Sequence, residues 1–139
     1  MVIPRLVAQA LLGLPLTVYG EGTQTRCFCH VSDVVAAVLA LLDDERAAGE
    51  AFNVGSEEEI SIMGLAERIR ARTASVSEIV RVPYDQVYGD QYEDMLRRSP
   101  DTSKLRALTG WAPTYDLDSI IDSTVEWART VGPERLLGT

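Results

Sequence analysis

The apolar positions of the chain change period from stretch to stretch, and each period names an element. Leu6, Val7, Ala10 and Leu11 recur at i, i+1, i+4 and i+5, the stripe of an amphipathic helix. With Pro4 in the first turn and Gly13 just beyond the last, that helix runs over residues 4–12. A short β-prone run follows at residues 16–19, Gly20 and Gly22 turn the chain, and a second β-prone run covers residues 26–31. Ser32 or Asp33 then caps a helix over residues 32–44. Nine consecutive apolar residues, 34–42, fill it, so it reads as a helix buried on more than one side. Asp43 and Asp44 stand where the helix dipole prefers cations, and its end is expected to fray.

Residues 51–54 read as a short strand closed by Gly55. Ser61 caps a helix over residues 61–72, with Ile62, Leu65, Ala66 and Ile69 as its buried stripe and Glu67, Arg68, Arg70 and Arg72 as its wet face. Residues 77–83 alternate as a half-buried strand that Pro83 ends. Residues 84–94, rich in tyrosine and acids, have no period and read as a loop, either adaptable near a ligand or simply irregular surface. Asp101 or Thr102 caps a helix that Gly110 stops. Leu117, Ile120, Ile121, Val125 and Trp127 make a last amphipathic helix, and residues 131–139 read as a poorly ordered tail. Short strands alternating with helices put the chain in the α/β class, as one domain with a real core.

Charge narrows the chemistry. The net charge of −8 argues against general nucleic-acid binding, which needs a basic face. An anionic ligand would have to be held by local arginines, and the sequence offers Arg26 and the Arg97-Arg98 pair. Arg26 lies between a glycine turn and a helix start, where a fixed cation and unpaired N–H groups suit a phosphate; a solvated surface arginine is the alternative. Cys27 and Cys29 point to one face of a strand, but His30 is the only histidine, too few ligands for zinc. Two reduced thiols in a cytoplasmic protein is the preferred reading. No apolar run approaches the roughly 20 residues needed to span a bilayer, and no signal peptide is seen.

One stretch carries more than its periodicity. Tyr19-Gly-x-Gly-x-Gln-x-Arg26-x-Phe-x-x-Val-x-Asp33 resembles the substrate-domain segment of the NAD-dependent epimerase/dehydratases, extended short-chain dehydrogenases that act on nucleotide sugars. Thr17-Val-Tyr-Gly, Phe52-Asn-Val-Gly, Arg98-Ser-Pro-Asp and Leu108-Thr-Gly-Trp-x-Pro match the same family in the same order, from about residue 2 to residue 130. UDP-glucuronate decarboxylases and dTDP-glucose 4,6-dehydratases are the most similar subgroups.

The resemblance implies a small mixed α/β nucleotide-sugar-binding domain. Thr17 and Tyr19 would neighbour the base, although Tyr19 is also suited to packing on the sheet. Arg26 and Arg98 would hold the diphosphate from two sides within one cavity. Asn53 would lie near the phosphates, or serve only as a turn former. For the complete enzyme the resemblance implies NAD and transient oxidation at the sugar C4, followed by epimerisation, dehydration or decarboxylation. In that family NAD sits on a Rossmann unit with a glycine-rich fingerprint, and catalysis uses a Tyr-x-x-x-Lys pair. Neither pattern occurs here: the single lysine, Lys104, is preceded at four residues by Pro100. The chain alone is therefore expected to bind no cofactor and to lack activity. Its partners would be a UDP- or dTDP-sugar and either a second copy or a Rossmann-bearing chain. The competing expectation is a catalytically silent module that docks through the apolar helix.

Overall fold

The computed structural model describes residues 1–88 and 94–137. In chain order it holds α1 (Val2–Leu11), β1 (Leu16–Tyr19), β2 (Thr25–Cys27), α2 (Val31–Leu42), β3 (Glu59–Ser61), α3 (Ile62–Arg72), β4 (Ile79–Val82), α4 (Asp85–Tyr88), β5 (Arg97–Arg98), α5 (Ser103–Thr109) and α6 (Leu117–Val131). Short 3-10 turns follow α2 at Glu45–Ala47 and α6 at Pro133–Leu136. The result is the mixed α/β domain the sequence indicates. β1 and β4 pair in parallel, with Leu16 opposite Ile79 and Tyr19 opposite Val82. A second sheet has the strand order β3-β2-β5. No described helix is long and apolar enough to cross a membrane.

The chain divides into two compact units. The first comprises Met1–Thr25, Ile60–Arg97 and Ile121–Thr139. Its core is the apolar stripe of α1 (Ile3, Leu6, Val7, Ala10) with Leu16 and Val18 of β1 and Ile62, Leu65, Ala66 and Ile69 of α3. These α3 residues are the ones its 3.6-residue period selects. Ser61 caps the helix as expected, its Oγ accepting from the Gly64 N–H at 3.0 Å. The stripe of α6 continues through Ala128, which is fully buried, whereas Trp127 is 52% exposed. Three residues on from Val125 the helix returns to the same face; two residues on, it does not. Within the segment expected as a tail, Leu136 is buried and the Pro133–Leu136 turn packs on α1.

The second unit comprises Arg26–Glu59 and Arg98–Ile120. Its core is small: Ala37, Leu105 and Trp111, with Cys29, Leu41, Phe52 and Val54 packed around them. The strand expected at residues 51–54 does not form. Side chains, not a ladder, hold that segment: Lys104 Nζ donates to the Ala51 carbonyl at 3.0 Å and lies 4.6 Å over the Phe52 ring, and Asn53 Nδ2 donates to the Asp101 carbonyl at 3.1 Å. The cap of α2 also differs from expectation. His30 Nδ1 accepts from the Ser32 N–H at 3.2 Å, because Asp33 is drawn elsewhere. Nor is α2 buried on several sides: only Asp33 and Ala37 are, while Val31, Val35, Val38, Leu39 and Leu42 are 45 to 76% exposed. Its long apolar surface has no counterpart among the described residues large enough to cover it.

Candidate functional site

Of the five residues singled out by sequence, Thr17 and Tyr19 stand in the first unit and Arg26, Asn53 and Arg98 in the second. β1 hydrogen-bonds to β4 along one edge, with Leu16 N–H donating to the Glu78 carbonyl and Gly20 N–H to the Val82 carbonyl, both at 2.8 Å. Thr17 therefore presents its own N–H and C=O along the other edge. Both are taken by α1. The Thr17 N–H donates to Gln9 Oε1 at 3.0 Å, the Thr17 carbonyl accepts from Arg5 Nη2 at 3.0 Å, and Thr17 Oγ1 accepts from Gln9 Nε2 at 2.9 Å. Arg5 also lies over Tyr19, its Cζ 3.9 Å from the ring centroid.

The turn after Tyr19 is shaped by its glycines. Gly20 (φ +66°) and Gly22 (φ +74°) adopt left-handed backbone that disfavours other residues. A Cβ on Gly20 would stand 2.3 Å from the Tyr84 ring, and one on Gly22 2.7 Å from Val18. The buried Gln24 locks the arrangement: its Nε2 donates to the Tyr19 carbonyl at 3.0 Å and to Tyr84 Oη at 2.7 Å, and Tyr84 in turn donates to Asp94 at 2.8 Å. The loop expected at residues 84–94 lies partly outside the described residues.

In the second unit, Arg26 is on β2 and Arg98 on β5, neighbouring strands of one sheet. Arg98 is exposed and Arg26 half-buried. Asn53 is held to the Asp101 carbonyl, three residues beyond Arg98. Asp101 lies just before α5; its carboxylate accepts from the Ser103 hydroxyl and from the Ser103 N–H (the latter at 2.9 Å), which together hold its pKa below the ordinary value.

The least legible residue of this unit is Asp33, which is 3% exposed. Its carboxylate accepts from the Thr114 N–H (3.0 Å), the Thr114 hydroxyl (2.7 Å) and the Tyr115 N–H (3.1 Å), and its carbonyl accepts from Trp111 Nε1 (3.0 Å). Burial pushes its pKa up, but the bonds from Thr114 and Tyr115 and the nearby His30 outweigh burial, so the net shift is downward. The His30 ring stacks on Tyr115 at 4.2 Å. Burial, with the charge of Asp33 second, raises the pKa of the Cys29 thiol and so favours its protonated form. Asp33 lies in the quoted motif, but its link to residues 78 to 82 positions away leaves no trace in any period. Arg5 and Gln9, one helical turn apart on α1, are legible only as a polar i, i+4 pair.

Two cavities, of about 330 and 510 Å³, open elsewhere. The smaller lies in the second unit against Ser56, Glu57, Thr102 and Arg106, the larger in the first against Arg72, Asp122 and Arg129. None of the five candidates lines either. In the smaller one Glu57 accepts from the Thr102 hydroxyl at 2.5 Å and from its N–H at 3.1 Å, which lowers the Glu57 pKa; these groups are engaged with one another.

The family described as GDP-mannose 4,6 dehydratase matches residues 1–124. The UDP-N-acetyl-alpha-D-glucosaminuronate decarboxylase of Bacillus cytotoxicus is 42% identical over 130 residues, 94% of this chain and 40% of that protein. UDP-glucuronic acid decarboxylase 1 of Danio rerio is 36% identical over 126 residues, 91% of this chain and 28% of that protein. Among solved structures, the epimerase Mth375 of Methanothermobacter thermautotrophicus superposes with a TM-score of 0.85 at 26% identity, over 98% of this chain and 39% of that one. The Bordetella bronchiseptica enzyme WbmF, in complex with NADH, does so with a TM-score of 0.79 at 27% identity, over 99% and 39%. The chain thus spans 28 to 40% of the length of these relatives. With that family's model matching residues 1–124 of its 139, the chain belongs to the GDP-mannose 4,6 dehydratase family, within the NAD-dependent epimerases and dehydratases.

Proposed function

We propose that this chain is the nucleotide-sugar-binding portion of an NAD-dependent epimerase, dehydratase or decarboxylase, and that alone it turns over no substrate. The observation that carries the reading is the occurrence of Arg26 and Arg98, 72 positions apart (98 − 26), on neighbouring strands of one sheet. Guanidinium groups carried on paired strands would suit the oxygens of a diphosphate, which takes charge-assisted bonds from more than one side. Identity to a decarboxylase named for a UDP-sugar supports the ligand class. Thr17 and Tyr19 would serve the base, and Asn53, near the phosphates, would steady the segment that follows β5 through the Asp101 carbonyl.

The NAD implied for the complete enzyme does not fit the described residues. The glycine turn at residues 20–22 is filled by Tyr84, Val18 and Met63, leaving no backbone cradle for a pyrophosphate. Lys104, the lysine a Tyr-x-x-x-Lys pair would need, is engaged with Glu50 and Ala51. The contribution of this chain is holding and orientation.

Calorimetric titration of the chain with UDP-glucuronate and dTDP-glucose tests the reading. Arg26→Ala and Arg98→Ala are each expected to weaken binding by about tenfold, the loss of one charge-assisted contact. No binding by the wild type, or binding by both variants as tight as that of the wild type, would refute it. A second reading, docking on a partner chain, is favoured by one observation, the exposed apolar stripe of α2. That partner would be a second copy or a Rossmann-bearing chain.

A further inference from the structure

The outer edge of β1 is already occupied, and what occupies it has the shape of a ligand. Arg5 sets its cationic guanidinium over the Tyr19 ring and donates a hydrogen bond to the Thr17 carbonyl. Gln9 offers the Thr17 N–H an amide oxygen. A planar group on the ring, a donor for the C=O and an acceptor for the N–H are also what a pyrimidine base would bring, since its imide edge alternates carbonyl oxygens with an N–H. Gln9 is doubly engaged with Thr17 and well satisfied. Arg5 is not: its Nε is buried without a hydrogen-bond partner among the described residues. A buried unpaired donor is a defect that water would cure. An arginine held by one carbonyl and one ring face, with a third group unpaired, is poised to leave.

We propose that Arg5 is a placeholder for the nucleobase: it seals the Thr17 carbonyl and the face of Tyr19 in the unliganded chain and swings into solvent when a base takes both. The inference rests on the reading that Thr17 and Tyr19 serve the base. It makes Arg5 a residue that sets nucleotide affinity through competition. The apparent dissociation constant is the intrinsic one divided by the fraction of molecules in which Arg5 has already left. An arginine seated nine-tenths of the time therefore weakens binding about tenfold, and its removal restores that factor.

The experiment uses the whole chain with three probes: uridine, UDP and inorganic pyrophosphate. Arg5→Met keeps the length of the stem without the guanidinium. It is expected to bind uridine and UDP about tenfold more tightly than the wild type and pyrophosphate equally. Because a variant in α1 could misfold, the wild type is also followed by NMR at the Arg5 Nε–H. Stacked on Tyr19, that proton is expected upfield through the ring current; as UDP saturates, it should move to the position of a solvated arginine. UDP binding with an unmoved Arg5 signal, or with equal or weaker binding by Arg5→Met, overturns the placeholder while leaving the nucleotide reading intact. Absence of uridine and UDP binding in both proteins overturns both.

Discussion

α3 and α2 have nearly the same length, 11 and 12 residues, and both start at a capping side chain. In α3, Ile62, Leu65, Ala66 and Ile69 are buried, while Glu67 and Arg72 are exposed and Arg68 and Arg70 half-buried. In α2 the acid Asp33 is buried, while five large apolar residues face outward. α3 is oriented by its stripe, and hydrophobic burial suffices to choose its face. α2, greasy nearly all round, has no such preference, and its facing is chosen by a polar clamp (Asp33 to Thr114, Tyr115 and Trp111) with Ala37 fitted against Leu105 and Trp111. Amphipathicity orients a helix, whereas hydrophobicity alone only asks for cover. The exposed residues at positions 31, 35, 38 and 42 are spaced by four, three and four, the seam that a partner helix or sheet would cover.

Truncating the two helices should separate these roles most strongly. Leu65→Ala, in α3, is expected to destabilise the chain by about 2–5 kcal/mol, the range for a buried leucine. Leu39→Ala, in α2, should stay within about 0.5 kcal/mol, as exposed substitutions do. Urea unfolding of both variants, at a dilution that keeps the chain monomeric, checks this, and equal losses would mean that α2 is covered by its own chain. Its cover should be seen directly as association: leaving a few hundred Å² of apolar surface wet costs on the order of several kcal/mol at about 25 cal/mol per Å². Sedimentation across a concentration series should find the wild type self-associating and Val38→Glu with Leu42→Glu monomeric, without loss of secondary structure. A wild type monomeric at high micromolar concentration would remove the need for a partner.

Asp33→Ala should come next, at about 2–3 kcal/mol, because it strands the N–H groups of Thr114 and Tyr115. The effect has a pH signature. The folded-state pKa of Asp33 is depressed below the ordinary 3.8, so its stabilisation is complete above that value and is lost as pH falls through the folded one. Denaturation followed between pH 6 and pH 2 (about two units either side of the ordinary carboxylate range) should fall less steeply for Asp33→Asn than for the wild type; parallel curves would exclude the clamp as the group that titrates. The smallest effect belongs to α3. Ala74, just past its end, has φ +51° while Ser75 N–H reaches back to the Arg70 carbonyl at 3.0 Å, a closure that prefers glycine. Ala74→Gly should stabilise by about 0.5–1 kcal/mol in thermal melts.

What the sequence discloses depends on whether a contact is local. The Ser61 cap, the α3 stripe, the Gly110 stop and β4 follow from spacing within a dozen residues. The strand misread at residues 51–54 had the composition of a strand but no backbone partner, because Lys104 and Asn53 tie it to α5 and the start of that helix. Trp127 was assigned to a stripe by its chemistry, although the period points to Ala128. Motif order marks Arg26 and Arg98, and the structure carries them on adjacent strands of one sheet. Asp33 and Arg5 were legible as residues and not as roles: one reaches 81 positions along the chain to Thr114, the other 12 to Thr17.

The side chains that stopper β1 bear also on how this protein behaves when crowded. A two-stranded sheet with a bare outer edge is a template for strands from neighbouring molecules, the first step of fibril growth. Here Gln9 and Arg5 meet the Thr17 peptide groups and Gln24 meets the Tyr19 carbonyl, so an incoming strand would have to evict three side chains before its first rung. At this edge, strand addition from a crowded neighbour is thereby hindered.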